Sequence, residues 1–318
     1  MDTKEQTFTE QVQKILGQVR RAVSGKDQVL LWTLVAILAK GHILLEDIPG
    51  VGKTTMAVAF SKVLGLSCNR VQFTPDVLPS DVTGYSVPDP GTGEMVYKPG
   101  AILCNVFLAD ELNRATSRTQ SALLEAMEEN QVTVDGIRHE APRPFTVIAT
   151  QNPAGAAGTQ LLPDSQMDRF ALRLSLGYPD AEAEKQMVLA RQGKNPLEEL
   201  TGIVDRETLL GLQETVENTY IKDEVVAYTV SLIGATRKHP QIRQGASPRA
   251  TLSVIALAKA VAQLRGRDYV LPKDIQETFL KAVEHRLLLT AAAQNKGISC
   301  QQVLHEIIKT VPAPKVTG

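Results

Sequence analysis

The chain has 318 residues, 43% of them apolar and 22% charged, which is room for two domains and the mix of an ordinary globular protein. That mix excludes a disordered chain, a collagen-like fibre and a disulfide-stapled miniprotein. Thirty-four Lys and Arg against 35 Asp and Glu leave a net charge of −1, which disfavours nucleic acid as the main partner.

In chain order, Met1 to Lys14 is polar and carries no secretory signal. Helical periodicity runs from about 7 to 40 in two pieces, broken at Ser24-Gly25-Lys26-Asp27. The apolar run Val29 to Ala39 ends at Lys40, well short of the ~20 residues that cross a bilayer, so it reads as a buried helix and no membrane is expected. His42 to Glu46 predicts a strand entering a glycine-bearing loop, and Thr54 to Leu64 a helix. Val106 to Ala109 and Phe145 to Ala149 predict buried strands, Ala171 to Leu174 a weaker one, and Ser117 to Asn130 a helix between them. Strands alternating with helices predict a mostly parallel sheet.

Two segments depart from the alternation. Gln131 to Val134, the pair Asp135-Gly136, then Ile137 to His139 form a hairpin signature, because Asp-Gly tolerates the positive φ angles of a type I′ turn. Gly84 to Val87 and Glu94 to Tyr97, around a Pro- and Gly-rich turn, predict a second hairpin. Past Gly177-Tyr178-Pro179-Asp180 the strand signal vanishes and helices alone are expected, which puts a domain boundary near 179. Cys68, Cys104 and Cys300 are scattered, as reduced thiols of a cytoplasmic protein would be. The five histidines (42, 139, 239, 285 and 305) show no metal-ligand spacing.

Pro49-Gly50-Val51-Gly52-Lys53-Thr54 lies between a predicted strand and a helix, the context of a phosphate-binding loop. Glycines there let backbone N–H groups turn toward phosphate oxygens, and the helix N-terminus adds partial positive charge. Lys53 would reach the β- and γ-phosphates and Thr54 would ligate Mg²⁺. The general pattern begins with Gly where this chain has Asp47. Asp110 and Glu111 end a buried strand 57 residues after Lys53. Acid pairs at strand ends are commonly solvated caps. Behind a phosphate loop, one acid can hold Mg²⁺ through water and the other can deprotonate an attacking water. Asn152 ends the following strand, where a short polar side chain could touch the γ-phosphate or that water.

This ordered set, with Asp168-Arg169-Phe170 and Ser247-Pro248-Arg249, resembles an AAA+ ATPase. The wording of Leu45 to Gly50, Asp110 to Ala115, Gln120 to Met127 and Gln131 to Gly136 is similar to the MoxR family within the helix-2-insert group. The resemblance runs from about 10 to 290. It implies an α/β fold, a P-loop AAA+ core over 1–179 with two inserted β-hairpins, and an all-helical lid over 180–318. It also implies the Walker B pair at Asp110 and Glu111, sensor 1 at Asn152, an arginine finger at Arg169 and sensor 2 at Arg249, expected to touch phosphate from the lid. Val23, Gly25 and Lys26 fall at the adenine pocket, and Thr55 follows the P-loop. Arg114 and Arg118 are further candidates for a subunit interface. The two hairpins correspond to elements facing the channel of a ring.

The function implied is an ATPase using ATP and Mg²⁺, assembled as a homo-oligomeric, hexameric ring that remodels or matures a client protein. Such families act with von Willebrand factor A domain partners and are linked to metal insertion or enzyme activation. The alternatives are a chelatase motor subunit, a DNA-acting AAA+ motor, and a nucleotide-gated scaffold without turnover. Near-neutral charge disfavours DNA, and the retained Glu111 and Arg169 disfavour the scaffold.

Overall fold

The computed structural model describes residues 7–48, 50–152, 162–190 and 195–315. Helix α1 (Phe8–Arg20) starts at a reciprocal cap, in which Thr7 Oγ1 accepts from the Glu10 amide and the Glu10 carboxylate accepts from the Thr7 amide. Helix α2 (Asp27–Leu38) is apolar nearly all round and buried, as its composition requires. Then come β1 (Ile43–Glu46), α3 (Lys53–Val63), β2 (Cys68–Gln72), the short α4 (Pro79–Thr83), the hairpin β3 (Gly84–Pro88) with β4 (Met95–Pro99), and β5 (Val106–Asp110). Helix α5 (Ser117–Glu129), hairpin β6 (Gln131–Val134) with β7 (Ile137–Glu140), β8 (Thr146–Gln151), α6 (Asp164–Met167) and β9 (Leu172–Leu174) complete the α/β part.

The five-stranded sheet is parallel in the order β2-β5-β8-β1-β9. Alternate residues serve its two faces. Ile43, Leu45, Val106, Leu108 and Ile148 join the core under α1, α2 and α3, while Leu44, Phe107, Ala109, Val147 and Ala149 join the core under α5. Strand β2 has no counterpart in the sequence reading. Its Asn69, Arg70 and Gln72 are polar because it is an edge strand, half-covered by the protein.

Both expected hairpins are present. Asp135 and Gly136 adopt φ of +50° and +78°, the type I′ geometry that Asp-Gly favours. The hairpins touch each other: the rings of Tyr97 and His139 stack at 3.6 Å between centroids. At the foot of the first, Gly84 and Gly100 pass so closely that a Cβ on either would fall within 2.5 Å of backbone atoms.

Beyond Pro179 the chain is helical: α7 (Ala181–Ala190), α8 (Arg206–Glu217), α9 (Asp223–Thr236), α10 (Pro248–Leu264), α11 (Pro272–Val283), α12 (Ala291–Asn295) and α13 (Cys300–Thr310). One short antiparallel pair, β10 (Ile242–Gln244) with β11 (Leu288–Leu289), adds to the all-helical expectation and is too brief to leave a periodic signal. Leu257, Ala258 and Ile275 share one apolar core with α1 and α2, so this region rests directly on the helical layer of the sheet.

Two buried histidines brace this framework. His42, between α2 and β1, accepts from the Val147 amide at Nδ1 and pairs through Nε2 with the Met127 carbonyl at 3.0 Å, joining β8 and the end of α5. His285 pairs through Nε2 with the Phe170 carbonyl at 3.0 Å. Burial holds both below the ordinary imidazole value of 6.5, His285 well below, with Arg286 adding repulsion there. In the unfolded chain both protonate near 6.5, so below that pH the unfolded state binds more protons and stability falls as pH falls. We expect the melting temperature to decline below pH ~6.5 and the decline to be shallower in His285→Asn. An identical pH profile for the variant, measured by thermal denaturation, would count against this.

Candidate nucleotide site

A parallel sheet sets all its carboxyl ends on one edge. Here β8 lies between β5 and β1, so the loops after Asp110, Gln151 and Glu46 emerge side by side. This edge collects the candidate P-loop, the acid pair and Asn152.

The loop climbs from β1 into α3 with Gly50 and Gly52 at φ of +87° and +96°, values that residues with a Cβ rarely adopt. A Cβ on either would meet nothing within 4 Å, so backbone angle, not crowding, demands glycine there. Val51 lies between them; Pro49 lies outside the described residues. Lys53 opens α3 and is 9% exposed, its Nζ donating to the Asp47 carbonyl at 2.9 Å. Burial lowers its pKa, opposed by the carboxylates of Asp47, Asp110 and Glu111. The amine thus waits near three acids, hydrogen-bonded to backbone carbonyls that a phosphate can replace.

Asp47, the departure from the general loop pattern, has a structural reason. Its carboxylate accepts from Ser175 Oγ at 2.7 Å, the Leu176 amide at 2.5 Å and the Gly177 amide at 3.0 Å. Glycine could make none of these. Hydrogen bonds to a charged group contribute ~1.5–3 kcal/mol each, so three of them outweigh the freedom glycine would bring. They fasten the loop to the segment that leads out of β9 toward α7.

Asp110 accepts from Thr150 Oγ1 at 2.6 Å and pairs with Arg70 of β2 at 2.8 Å. Glu111 follows at φ +56°, its amide donating to the same Thr150 hydroxyl at 2.9 Å. Thr150 therefore fixes both acids. The Glu111 carboxylate faces Arg114 at 2.7 Å, so the guanidinium of that expected interface residue is engaged within its own chain. Arg118 is exposed on α5. Asn152 lies beside this pair, its carbonyl 3.4 Å from Asn113 Nδ2. Asp110, whose charge lies near the Lys53 amine, and Thr54, the next residue of α3, are the oxygen donors that would hold a hydrated Mg²⁺ carried on a nucleotide.

A cleft opens over the loop, lined by Val23, Lys26, Gly50, Gly52, Thr55 and Met187. Gly25, at φ +71°, runs so close to α7 that a Cβ would fall 2.6 Å from that of Ala183. Lys26 Nζ donates to the Tyr178 carbonyl at 2.7 Å, closing the same corner. The expected adenine-pocket residues thus border the phosphate loop.

Arg169 and Arg249 lie elsewhere. Arg169 precedes β9, and the Ala171 amide donates to the His42 carbonyl just before β1, so both mark the amino edge of the sheet. From there to Asp47 the chain covers five residues at ~3.3 Å each, roughly 16 Å. Arg169 pairs with Glu128 at the end of α5, 2.9 Å away, and Arg249 pairs with the same carboxylate. Ser247 caps α10 and donates to Asp168 Oδ2 at 2.7 Å, holding Arg249 at this edge. In this chain Arg249 thus forms a cluster with Arg169 and Glu128 at the amino edge. Sequence spacing missed Glu128, Arg70 and Thr150, whose partners lie about 40 or more residues away along the chain.

Lys53→Ala should lose nucleotide binding, read with a fluorescent ATP analogue; binding as tight as wild type would overturn the loop assignment. Glu111→Gln should still bind but turn over at least ~100-fold more slowly, the scale for removing a general base. Phosphate release at the normal rate would reduce Glu111 to a strand cap.

Residues 42–172 match the ATPase family associated with various cellular activities (AAA), and residues 234–307 match the AAA lid domain. The chain is 42% identical to the uncharacterized protein YeaC of Bacillus subtilis, over 96% of this chain and 97% of that one. It is 40% identical to the Chaperone MoxR1 of Mycobacterium tuberculosis, over 96% of this chain and 83% of the relative. A solved structure from Cytophaga hutchinsonii shares the fold at a TM-score of 0.88 and 34% identity, over 97% of this chain and 96% of that one. A five-stranded P-loop core, a helical lid and this degree of identity along the whole chain lead to one family: the chain belongs to the MoxR AAA+ ATPases.

Proposed function

We propose that this ATPase works as a chaperone-like ring that remodels or matures a client protein, with a von Willebrand factor A domain protein as its coupling partner. One observation carries the ring: the phosphate loop and acid pair lie on the carboxyl edge of the sheet, whereas Arg169 and Arg249 lie on the amino edge. A single chain cannot bring these halves together, but two copies arranged head to tail can. Repetition of that contact closes a homo-oligomeric ring, a hexamer in our reading.

In this reading Lys53 and the loop amides hold the phosphates, Thr54 and Asp110 hold Mg²⁺ and Asn152 orients the water. Glu111 leaves Arg114 and takes the proton of that water at a carboxylate oxygen. Arg169 and Arg249 leave Glu128 to meet the charge developing on the neighbour's phosphates. The chaperone name of the mycobacterial relative supports a protein client over a tetrapyrrole-handling or DNA-acting role. Metal insertion or enzyme activation in the cytoplasm is the task we assign to it.

The test is complementation. Arg169→Ala and Glu111→Gln should each bind ATP and hardly hydrolyse it, since an arginine supplied in trans is worth ~10³–10⁵ in rate. Mixed rings pair some intact Glu111 sites with an intact neighbouring Arg169, so activity should return. Inactive mixtures, once native mass spectrometry has shown that subunits exchange, would refute a finger acting in trans.

A further inference from the structure

Arg286 belongs to the lid, in the short turn Glu284–Arg286 after α11, yet only 1% of its side chain is exposed. Its guanidinium reaches across to the α/β part. Nε donates to Asp168 Oδ1 at 2.9 Å, and one terminal nitrogen lies 2.9 Å from both the Asp168 and the Phe170 carbonyl oxygens. These two carbonyls bracket Arg169 in the chain. The adjacent His285 adds its own contact to the Phe170 carbonyl at 3.0 Å. On the lid side the same guanidinium donates to the Ala282 carbonyl at 2.6 Å and lies 3.1 Å from Ser253 Oγ. Ser247, at the start of α10, completes the grip by donating to the other Asp168 oxygen at 2.7 Å.

The Arg169 side chain is held far more loosely. Among the described residues it has one ion pair, to Glu128, and its buried Nε has no partner. Where its guanidinium can go is therefore set by the backbone from which it springs, and that backbone is fixed from the lid. Stability alone does not account for the arrangement, because a buried ion pair adds little over apolar packing of similar volume. A planar guanidinium that gives one nitrogen to the carbonyls on both sides of one residue and another to the preceding carboxylate is a device for placing that residue.

We infer that Arg286 is a positioning residue for hydrolysis in the neighbouring subunit: each lid fixes the backbone of Arg169 and so sets the finger that its own subunit presents. The inference rests on the reading of Arg169 as a finger acting in trans. It makes the lid a control on the next site along the ring.

The experiment uses full-length Arg286→Gln, checked for ATP binding, melting temperature and ring assembly. Turnover should fall about 100-fold, the scale of a ~1 Å misplacement, with KM for ATP little changed. Mixed with Glu111→Gln, it should regain activity, because intact fingers from Glu111→Gln subunits then face intact Glu111 sites. Mixed with Arg169→Ala, it should stay slow, since every interface then has a defective finger. Normal turnover of Arg286→Gln alone overturns the inference. So does recovery with Arg169→Ala, or failure to recover with Glu111→Gln while the Arg169→Ala and Glu111→Gln mixture recovers. If that last mixture itself stays inactive in proven mixed rings, the finger reading has failed, and this inference with it. Should Arg286→Gln not fold, Arg286→Lys takes its place in the same mixtures. It keeps the charge opposite Asp168 but has one nitrogen where the guanidinium uses three, for the Asp168 carboxylate, the two bracketing carbonyls and Ala282, so full turnover from it would overturn the role of the guanidinium.

Discussion

Everything in this molecule that concerns nucleotide follows from the common direction of the sheet's five strands. Parallel pairing sends all the carboxyl ends to one edge and all the amino ends to the other. Loops leaving β1, β5 and β8 then gather cation, acids and amide within reach of one another without any of them being near in sequence. The same rule carries the segment before β9 to the far edge, and the arginine pair goes with it. In the proposed ring the loop edge is the acceptor half-site and the arginine edge the donor half-site, and the two face away from each other.

Much of the acceptor half was legible in the sequence. Gly50, Gly52 and Lys53 are a local pattern, and a run such as Val106 to Asp110 announces a buried strand by composition alone. The hairpin at Asp135-Gly136 was readable for the same reason, because a type I′ turn is decided by two residues. What stayed hidden depends on contacts between distant parts of the chain. Asp47 looks like a flaw in the loop until Ser175, Leu176 and Gly177 are seen donating to it. Strand β2 escaped because an edge strand has one neighbour and can keep polar side chains. The neighbours of Arg249 were hidden because a helix cap at Ser247 tells where α10 starts but not which carboxylate waits there. Glu128 answers that only in three dimensions.

The lid is more than a cover. It shares an apolar core with α1 and α2, and polar contacts tie both it and the segment leading into it to the α/β part. Asp47 and Lys26 bind that leading segment, 175–178, beside the phosphate loop. Asp168 receives Arg286 and Ser247 of the lid itself at the far edge. In the proposed ring, a lid that is anchored at the far edge and entered from beside the phosphate loop would link the acceptor half to the posture of the donor half.

The ring stack between Tyr97 and His139 has a mechanical meaning of its own. Two hairpins on separate stems would bend independently, each a thin lever. Stacked at 3.6 Å, with the first stem pinched at Gly84 and Gly100, they form a braced strut with two tips. The tips carry exposed apolar side chains, Met95 on one and Ile137 on the other. A load applied at either is shared by both stems and passed to the base of α4 and α5 together, so the pair pushes as one broad surface.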